Sequence, residues 1–437
     1  MKRYSQYKDS GIQWIGEIPN HWEICSVRSY AQEYVEKNKP EKTRELLALS
    51  YALGVTLYSD KQYNMDRVKE NYEEYKIVHE NVLVVSPNDI IKGSAYVSKY
   101  YGCISPMYIT FKSRFNDPTY LYYLSYLLRT KQAGRTFFSL AKGLIGSILD
   151  NGKYVTRRMS VSRNDLLSFK VVMPPLSEQR SIVAFLDKNT SLINAVVANK
   201  EKEIELLQEL KQKTIAEAVT KGLNPDVNMK DSGISWIGMI PEYWEMKQLR
   251  SLLTLFTEKG HGDAQLLSVT REQGVILRDK DNKEENHNFV PEDLSGYKYI
   301  EKGDFAINKM KAWQGSYAVS DYNGIVSPAY FTCKLKGVNK DFFSRAIRSK
   351  AYIPFFTQYS KGIRVDQWDL NPNALKSIPF IVPPVDEQQT IVSYVDEKCQ
   401  KIDTLITELQ AEIDHLNEYK QRLIADVVTG QVNVQNL

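Results

Sequence analysis

The sequence predicts an α+β protein built twice over, with two similar α/β units separated by a pair of long antiparallel coiled-coil helices in a pseudo-two-fold internal repeat. Three observations predict it. Residues 8–28 (KDSGIQWIGEIPNHWEICSVR) return at 230–250 (KDSGISWIGMIPEYWEMKQLR) with 13 of 21 positions identical. A second block, VVMPPLSEQRSIVAFLD from Val171, returns as FIVPPVDEQQTIVSYVD from Phe380. Behind each second block runs a long charged stretch with apolar residues spaced alternately four and three apart, the signature of a helix with a partner.

Self-comparison comes first because a repeat decides the fold. The first block recurs at an offset of 222 and the second at 209, so a difference of 13 residues must lie between them. Trp14/Trp236, Pro19/Pro241, Trp22/Trp244 and Arg28/Arg250 are kept in both copies. Between the blocks the likeness thins to islands, Ser105-Pro-Met-Tyr108 against Ser327-Pro-Ala-Tyr330 and Lys142-Gly143 against Lys361-Gly362. A shared scaffold with altered surfaces accounts for this, and so does a plain duplication with drifted loops and no division of labour.

Each Pro-Pro pair is followed by Ser177-Glu-Gln or Asp386-Glu-Gln, a short polar cap with an acid in the first turn, and each stretch ends at Gly222 or Gly430. The second helix has the seam Ile402, Ile406, Leu409, Ile413, Leu416, Lys420, Leu423, Val427. Shifted back by 209, the first reads Ile193, Val197, Lys200, Ile204, Leu207, Lys211, Thr214, Ala218, a poorer stripe with lysine at the same rung. The two stripes suit one another as partners; a simple amphipathic brace on each unit is the alternative.

The segments are expected as follows: 1–21 and 223–243 carry the repeated N-terminal element, 22–175 and 244–384 are the globular units, and 176–222 and 385–437 are helical. Short β-rich runs at 82–85, 107–111 and 330–333 and helices over 119–131 and 340–350 give each globular unit a mixed character. Their loops join glycine to cations, amides and aromatics. Lys92, Ser94 and Tyr96 form one group, and Lys142, Arg157 and Arg158 another. Asn308, Lys309, Lys311, Trp313 and Gln314 form a third, with Lys361 and Arg364 beyond. Ser50-Tyr51 aligns with Thr270-Arg271, a place where frame is kept and identity changes. Lys and Arg suit phosphate contact, and Arg, Asn or Gln suit base edges, although any surface loop holds such residues.

Composition narrows the function classes. A net charge of +4 does not by itself establish a polyanionic partner, but it permits one. Cys25, Cys103, Cys333 and Cys399 form neither a disulfide framework nor a CxxC pair, and 28 tyrosines against 5 histidines favour a binding surface over a histidine-driven site. No apolar run approaches the roughly 20 residues of a membrane span and the start lacks a signal peptide, so a cytoplasmic location is expected. Phosphate-loop, dinucleotide-loop, zinc-helix and nucleophile-turn motifs are absent, as is Asn-Pro-Pro-aromatic; Asn371-Pro-Asn-Ala is the nearest string. His21 and His79 read as surface or hydrogen-bonded residues, and Glu284-Glu285 as a solvated loop.

SGIQWIGEIP..W and SGISWIGMIP..W, PPLSEQ and PPVDEQ, and the paired helices together resemble the specificity subunit of type I DNA restriction-modification systems. The resemblance covers essentially the whole chain. It implies that 22–175 and 244–384 are target-recognition domains, each reading one half of a bipartite site in double-stranded DNA, with the helices as spacer and docking surface. The implied partners are two modification subunits that carry S-adenosylmethionine and methylate adenine, and restriction subunits that use ATP and Mg. This chain would bind no cofactor and hold no catalytic or metal site. A non-catalytic coiled-coil scaffold binding proteins is the rival reading, and an enzyme would need a carboxylate cluster or cofactor loop that is not found.

Overall fold

Two consecutive prolines cannot continue a strand ladder, and helix begins directly behind them. The computed structural model, which describes residues 2–50, 53–60, 71–143, 159–279, 291, 293–362 and 368–435, has helices Leu176–Lys221 and Val385–Val428 there. The amides of Glu178 and Gln179 donate to the Pro175 carbonyl, and that of Gln388 to Pro384. Ser177 and Asp386, expected as caps, therefore lie inside the first turn. The Gln179 and Gln388 side chains donate to the Pro174 and Pro383 carbonyls, each at 2.7 Å. Both helices stop as expected, on glycines with φ of 74° at Gly222 and Gly430.

The chain forms two units, Met1–Asn199 with Ala411–Leu437, and Lys200–Gln410. In the first, an antiparallel four-stranded sheet has the order Ala31–Glu33, Ile109–Ser113, Leu83–Val85, Ala95–Val97. Glu23–Ser26 pairs with Lys170–Met173, which leads through the prolines into the long helix. Helices Thr119–Leu128 and Lys131–Leu140 close the core, where Phe111, Tyr123 and Phe137 are fully buried. The expected single helix over 119–131 breaks at Arg129, because the Thr130 side chain caps a new helix by accepting from the Ala133 amide.

The second unit repeats this plan. Its sheet order is Leu253–Phe256, Tyr330–Leu335, Phe305–Asn308, Tyr317–Val319, and Glu245–Gln248 pairs with Pro379–Val382. The expected helix over 340–350 ends at Ile347 and a further helix, Ile353–Tyr359, follows. The islands of likeness have a structural reason. Half-buried Lys76 donates to the Tyr108 carbonyl at 2.8 Å, and Lys298 to that of Tyr330 at 2.6 Å. Burial lowers the pKa of both ammonium groups. Caps Thr130 and Tyr352 keep the offset of 222, whereas Ser162 and Asn371, which cap the next helices, stand 209 apart. The 13-residue difference falls between these caps.

The two repeated blocks meet. In the first unit Trp22 is fully buried and donates from Nε1 to Glu178 at 3.2 Å. The same carboxylate, 1% exposed, accepts from Tyr4 and lies 2.9 Å from His21 Nε2. In the second, Trp244 donates to Glu387 at 2.9 Å, with Tyr243 at 3.0 Å, but Glu387 is partly exposed. The end of the other long helix closes each cluster: a Cβ on Gly430 would stand 2.3 Å from Pro19 and 3.2 Å from Trp22, and one on Gly222 3.1 Å from Trp244.

Within each unit one helix thus starts and the other ends at the same tryptophan, which makes the pair antiparallel. Further along, Lys420 Nζ reaches Asn194 at 2.9 Å in the first unit, and Lys211 Nζ reaches Asp403 at 2.6 Å in the second. The lysines at the interrupted rung are satisfied by polar groups of the facing helix. Ile402, Ile413 and Leu423 are buried, and Ile193, Val197, Ile204, Leu207, Ile406, Leu409 and Leu416 are partly covered. All four cysteines are free thiols, and among the described residues no helix is long and apolar enough to cross a membrane.

Replacing Glu178 by alanine strands the buried Trp22 donor and the half-buried Tyr4 donor and is expected to cost about 3 kcal/mol. Glu387→Ala should cost distinctly less, because water reaches its site. Urea unfolding of the two variants checks this; equal losses would refute burial as the deciding difference.

Candidate nucleic-acid interface

Three loops gather in each unit, and the glycines show why they can. The hairpin Leu267–Thr270/Gly274–Leu277 turns through Gly274 at φ 76°, where a Cβ would meet Ala318 at 3.0 Å. The turn from Asn308 to Ser316 follows the central strand and ends on Gly315, where a Cβ would lie 3.9 Å from Arg271 Cγ. The third loop begins and ends in the pairing of Ser360–Lys361 with Asp369–Leu370. Its Leu370 amide donates to the Lys309 carbonyl at 3.0 Å.

The second unit therefore brings Arg271, Asn308, Lys309, Lys311, Trp313, Gln314 and Lys361 onto adjoining loops. Lys309 pairs with Asp369 at 3.1 Å. Lys311, Lys361 and Arg271 are exposed. Trp313 packs on Trp368 with ring centroids 5.3 Å apart, and its buried Nε1 has no hydrogen-bond partner among the described residues. Thr270 is turned inward, donating to the Gly274 carbonyl at 3.1 Å. Asn308 accepts from the Met310 amide at 3.2 Å, which fixes the turn's first bend.

In the first unit the hairpin Leu47–Ser50/Gly54–Leu57 turns through Gly54, also at φ 76°, and a Cβ there would stand 2.9 Å from the Tyr96 ring. Lys142 exchanges both backbone hydrogen bonds with Ser160, and the Val161 amide donates to Pro87 at 2.9 Å. Ser50, Lys92, Tyr96 and Lys142 thus stand on the corresponding loops. Ser94 is buried, and its carbonyl accepts from the Ser86 amide, so its hydroxyl is not presented to a ligand. Tyr51, Arg157, Arg158 and Arg364 lie outside the described residues, as do Glu284 and Glu285. His21 and His79 bond Glu178 and Glu36.

Sequence reading missed the residues that hold these loops. Arg129 and Arg348 follow equivalent helices at an offset of 219, the same offset that relates Lys142 to Lys361. The Arg129 guanidinium sits 4.4 Å from the centroids of both Tyr96 and Tyr126. Arg348 donates to the carbonyls of Glu272 at 2.7 Å and Arg271 at 3.2 Å, and burial lowers its pKa. Lys92, Arg129, Lys131 and Arg135 line an open concavity of about 530 Å³ edged by the exposed ring of Phe138. Such a cationic hollow favours anions.

The fold is one scaffold made twice, and the described loop residues of each copy include exposed cations, Lys92 and Lys142 in the first and Arg271, Lys311 and Lys361 in the second. Residues 56–206 match the model of the type I restriction modification DNA specificity domain. The chain is 24% identical to the type I restriction enzyme MjaVIII specificity subunit of Methanocaldococcus jannaschii, over 96% of this chain and 95% of that one. It is 23% identical to the EcoKI specificity subunit of Escherichia coli over 62% of this chain and 59% of the other. The same fold occurs in a chain solved in work on complex assembly and conformational transition of the type I R-M system, with TM-score 0.64, 13% identity and coverage of 95% and 99%. Over most of its length the chain is thus similar to type I restriction-modification specificity subunits.

Arg348→Ala removes donors from carbonyls at the hairpin tip. Amide hydrogen exchange over 270–276 is expected to speed up at least ten-fold while the long helices keep their protection, since the arginine braces a local turn. Unchanged exchange there would show that the tip holds itself.

Proposed function

We propose that this chain selects the DNA site for a type I restriction-modification complex, each unit reading one half of a bipartite duplex target. The observation that carries this reading is the pair of equivalent turns at 86–94 and 308–316, similar in backbone and different in side chains, which suits one polymer read at two places with different sequences. Exposed cations on the loops supply phosphate contact, and amide and aromatic side chains supply contact with base edges. Two weak readers on one chain gain from effective concentration, so neither half needs high affinity alone.

The chain acts here as a non-catalytic cytoplasmic subunit that binds no cofactor. Methylation of adenine with S-adenosylmethionine is the work of two modification subunits, and ATP- and Mg-dependent translocation that of restriction subunits. The first long helix offers surface for docking: Leu192 and Val196 in the first unit, and Leu206 and Leu210 in the second, are 44–57% exposed and four residues apart within each pair. Each long helix begins in one unit and ends in the other, so the helices set the unread gap.

Methylome sequencing of cells with and without the chain tests the assignment. A single bipartite adenine-methylated motif should vanish when the chain is deleted; an unaltered methylome refutes it. Exchanging residues 244–384 for the segment of another specificity subunit should alter one half-site only. Inserting one heptad in the middle of both helices should lengthen the tolerated gap by roughly three base pairs, at 1.5 Å per helical residue and 3.4 Å per base pair. A fixed gap would count against the spacer role.

A further inference from the structure

The turn that follows Leu83–Val85 in the first unit and Phe305–Asn308 in the second shares most of its main-chain hydrogen bonds. Ser86 N donates to Ser94 O at 3.0 Å, and Asn308 N to Ser316 O at 3.0 Å. Ser94 N reaches Asp89 O at 3.2 Å, and Ser316 N reaches Lys311 O at 3.2 Å. Gly93 and Gly315 close the two turns in the left-handed region at φ 88° and 92°, a conformation that glycine adopts without steric cost. The carbonyls of Pro87 and Lys309 accept equivalent amides from Val161 and Leu370. Apart from the first bend, where the Ile90 amide donates to Ser86 in one unit and the Lys311 amide to Asn308 in the other, the differences lie in the side chains. At an offset of 222 Asn88 stands against Met310, Asp89 against Lys311, and Lys92 against Gln314.

These three positions are exposed or partly exposed in both units. Asp89 and Lys92 form a loose pair at 4.0 Å in the first, so that turn offers both an acceptor and a donor. In the second, Met310 is 54% exposed between Lys309 and Lys311, an apolar tip flanked by cations. An aspartate accepts from the cytosine amino group, a lysine donates to guanine O6 and N7, and an apolar side chain suits the thymine methyl group. A backbone that is fixed while its side chains change sign is the arrangement that discriminates between base edges, because the frame sets where each side chain can reach. The hairpin tips carry less: Thr270 is spent on its own turn.

We propose that this turn is the base-reading element of each unit, and that positions 88, 89 and 92 in the first and 310, 311 and 314 in the second determine which bases each half-site contains. The inference rests on the DNA-reading assignment above. It is tested with the full chain in complex with its modification subunits, by mapping methylated sites on random-sequence duplexes. The triple substitution Met310→Asn, Lys311→Asp, Gln314→Lys gives the second unit the side chains of the first. It should change the bases of one half-site and leave the other half-site and the gap as they were. Lys311→Ala alone should lower discrimination at one base pair about ten-fold or more. Both half-sites unchanged in the triple variant would overturn the proposal. So would a Lys311→Ala protein that weakens on all sequences alike with a shallower salt dependence, since that is phosphate contact. If the triple variant does not fold, the single substitutions at 310, 311 and 314 decide by the same readout. A wild-type complex that marks no bipartite motif would instead defeat the underlying assignment.

Discussion

An indole N–H taken out of water must find an acceptor, or its burial costs on the order of 1–3 kcal/mol. Trp22 and Trp244 meet that requirement with a carboxylate from the first turn of a long helix, Glu178 or Glu387. The bond joins residues more than 140 positions apart, and it fixes where the helix leaves the sheet. The incoming end of the other helix then packs against the same ring, where only glycine fits. Remove the carboxylate and the exit angle of one helix, the landing site of the other and the closure of the core lose their common reference. The two copies solve the problem unequally, since Glu178 is sealed from solvent and Glu387 is not.

That constraint explains which parts of the molecule could be read from the sequence. The blocks around Trp22 and Glu178 stand out as repeats because these two residues are partners across the blocks, and loss of the carboxylate leaves a buried indole unpaired. The helix seam was legible for a similar reason: residues four and three apart share a face whatever they pack on. Glycine stops at 222 and 430 followed from backbone sterics alone. What could not be read depends on pairing over long separations. Strand order places Ala31–Glu33 beside Ile109–Ser113, and no local pattern specifies that choice. The break at Arg129 was hidden because Thr130 serves equally well inside a helix or as its cap. Ser94 looked available because composition does not say which way a side chain faces.

Arg129 and Arg348 mark the boundary between scaffold and surface. Each follows the same helix and lies beneath the same loops, yet one is held between tyrosine rings and the other binds backbone carbonyls. A guanidinium does both, having a flat face for stacking and donors at its edge. The shared residue type thus survives a complete change of neighbours, which is why an alignment of the two halves finds it and a search for local motifs does not.

The left-handed turn has a consequence for how such a protein diverges. Its geometry is held by main-chain bonds and by a glycine, so substitutions at the exposed positions alter folding free energy by only a few tenths of a kcal/mol. Novelty in those side chains is nearly neutral to stability, whereas the anchoring tryptophans tolerate almost none. A lineage carrying this chain can therefore drift toward new preferences one copy at a time, with the other copy and the frame left intact.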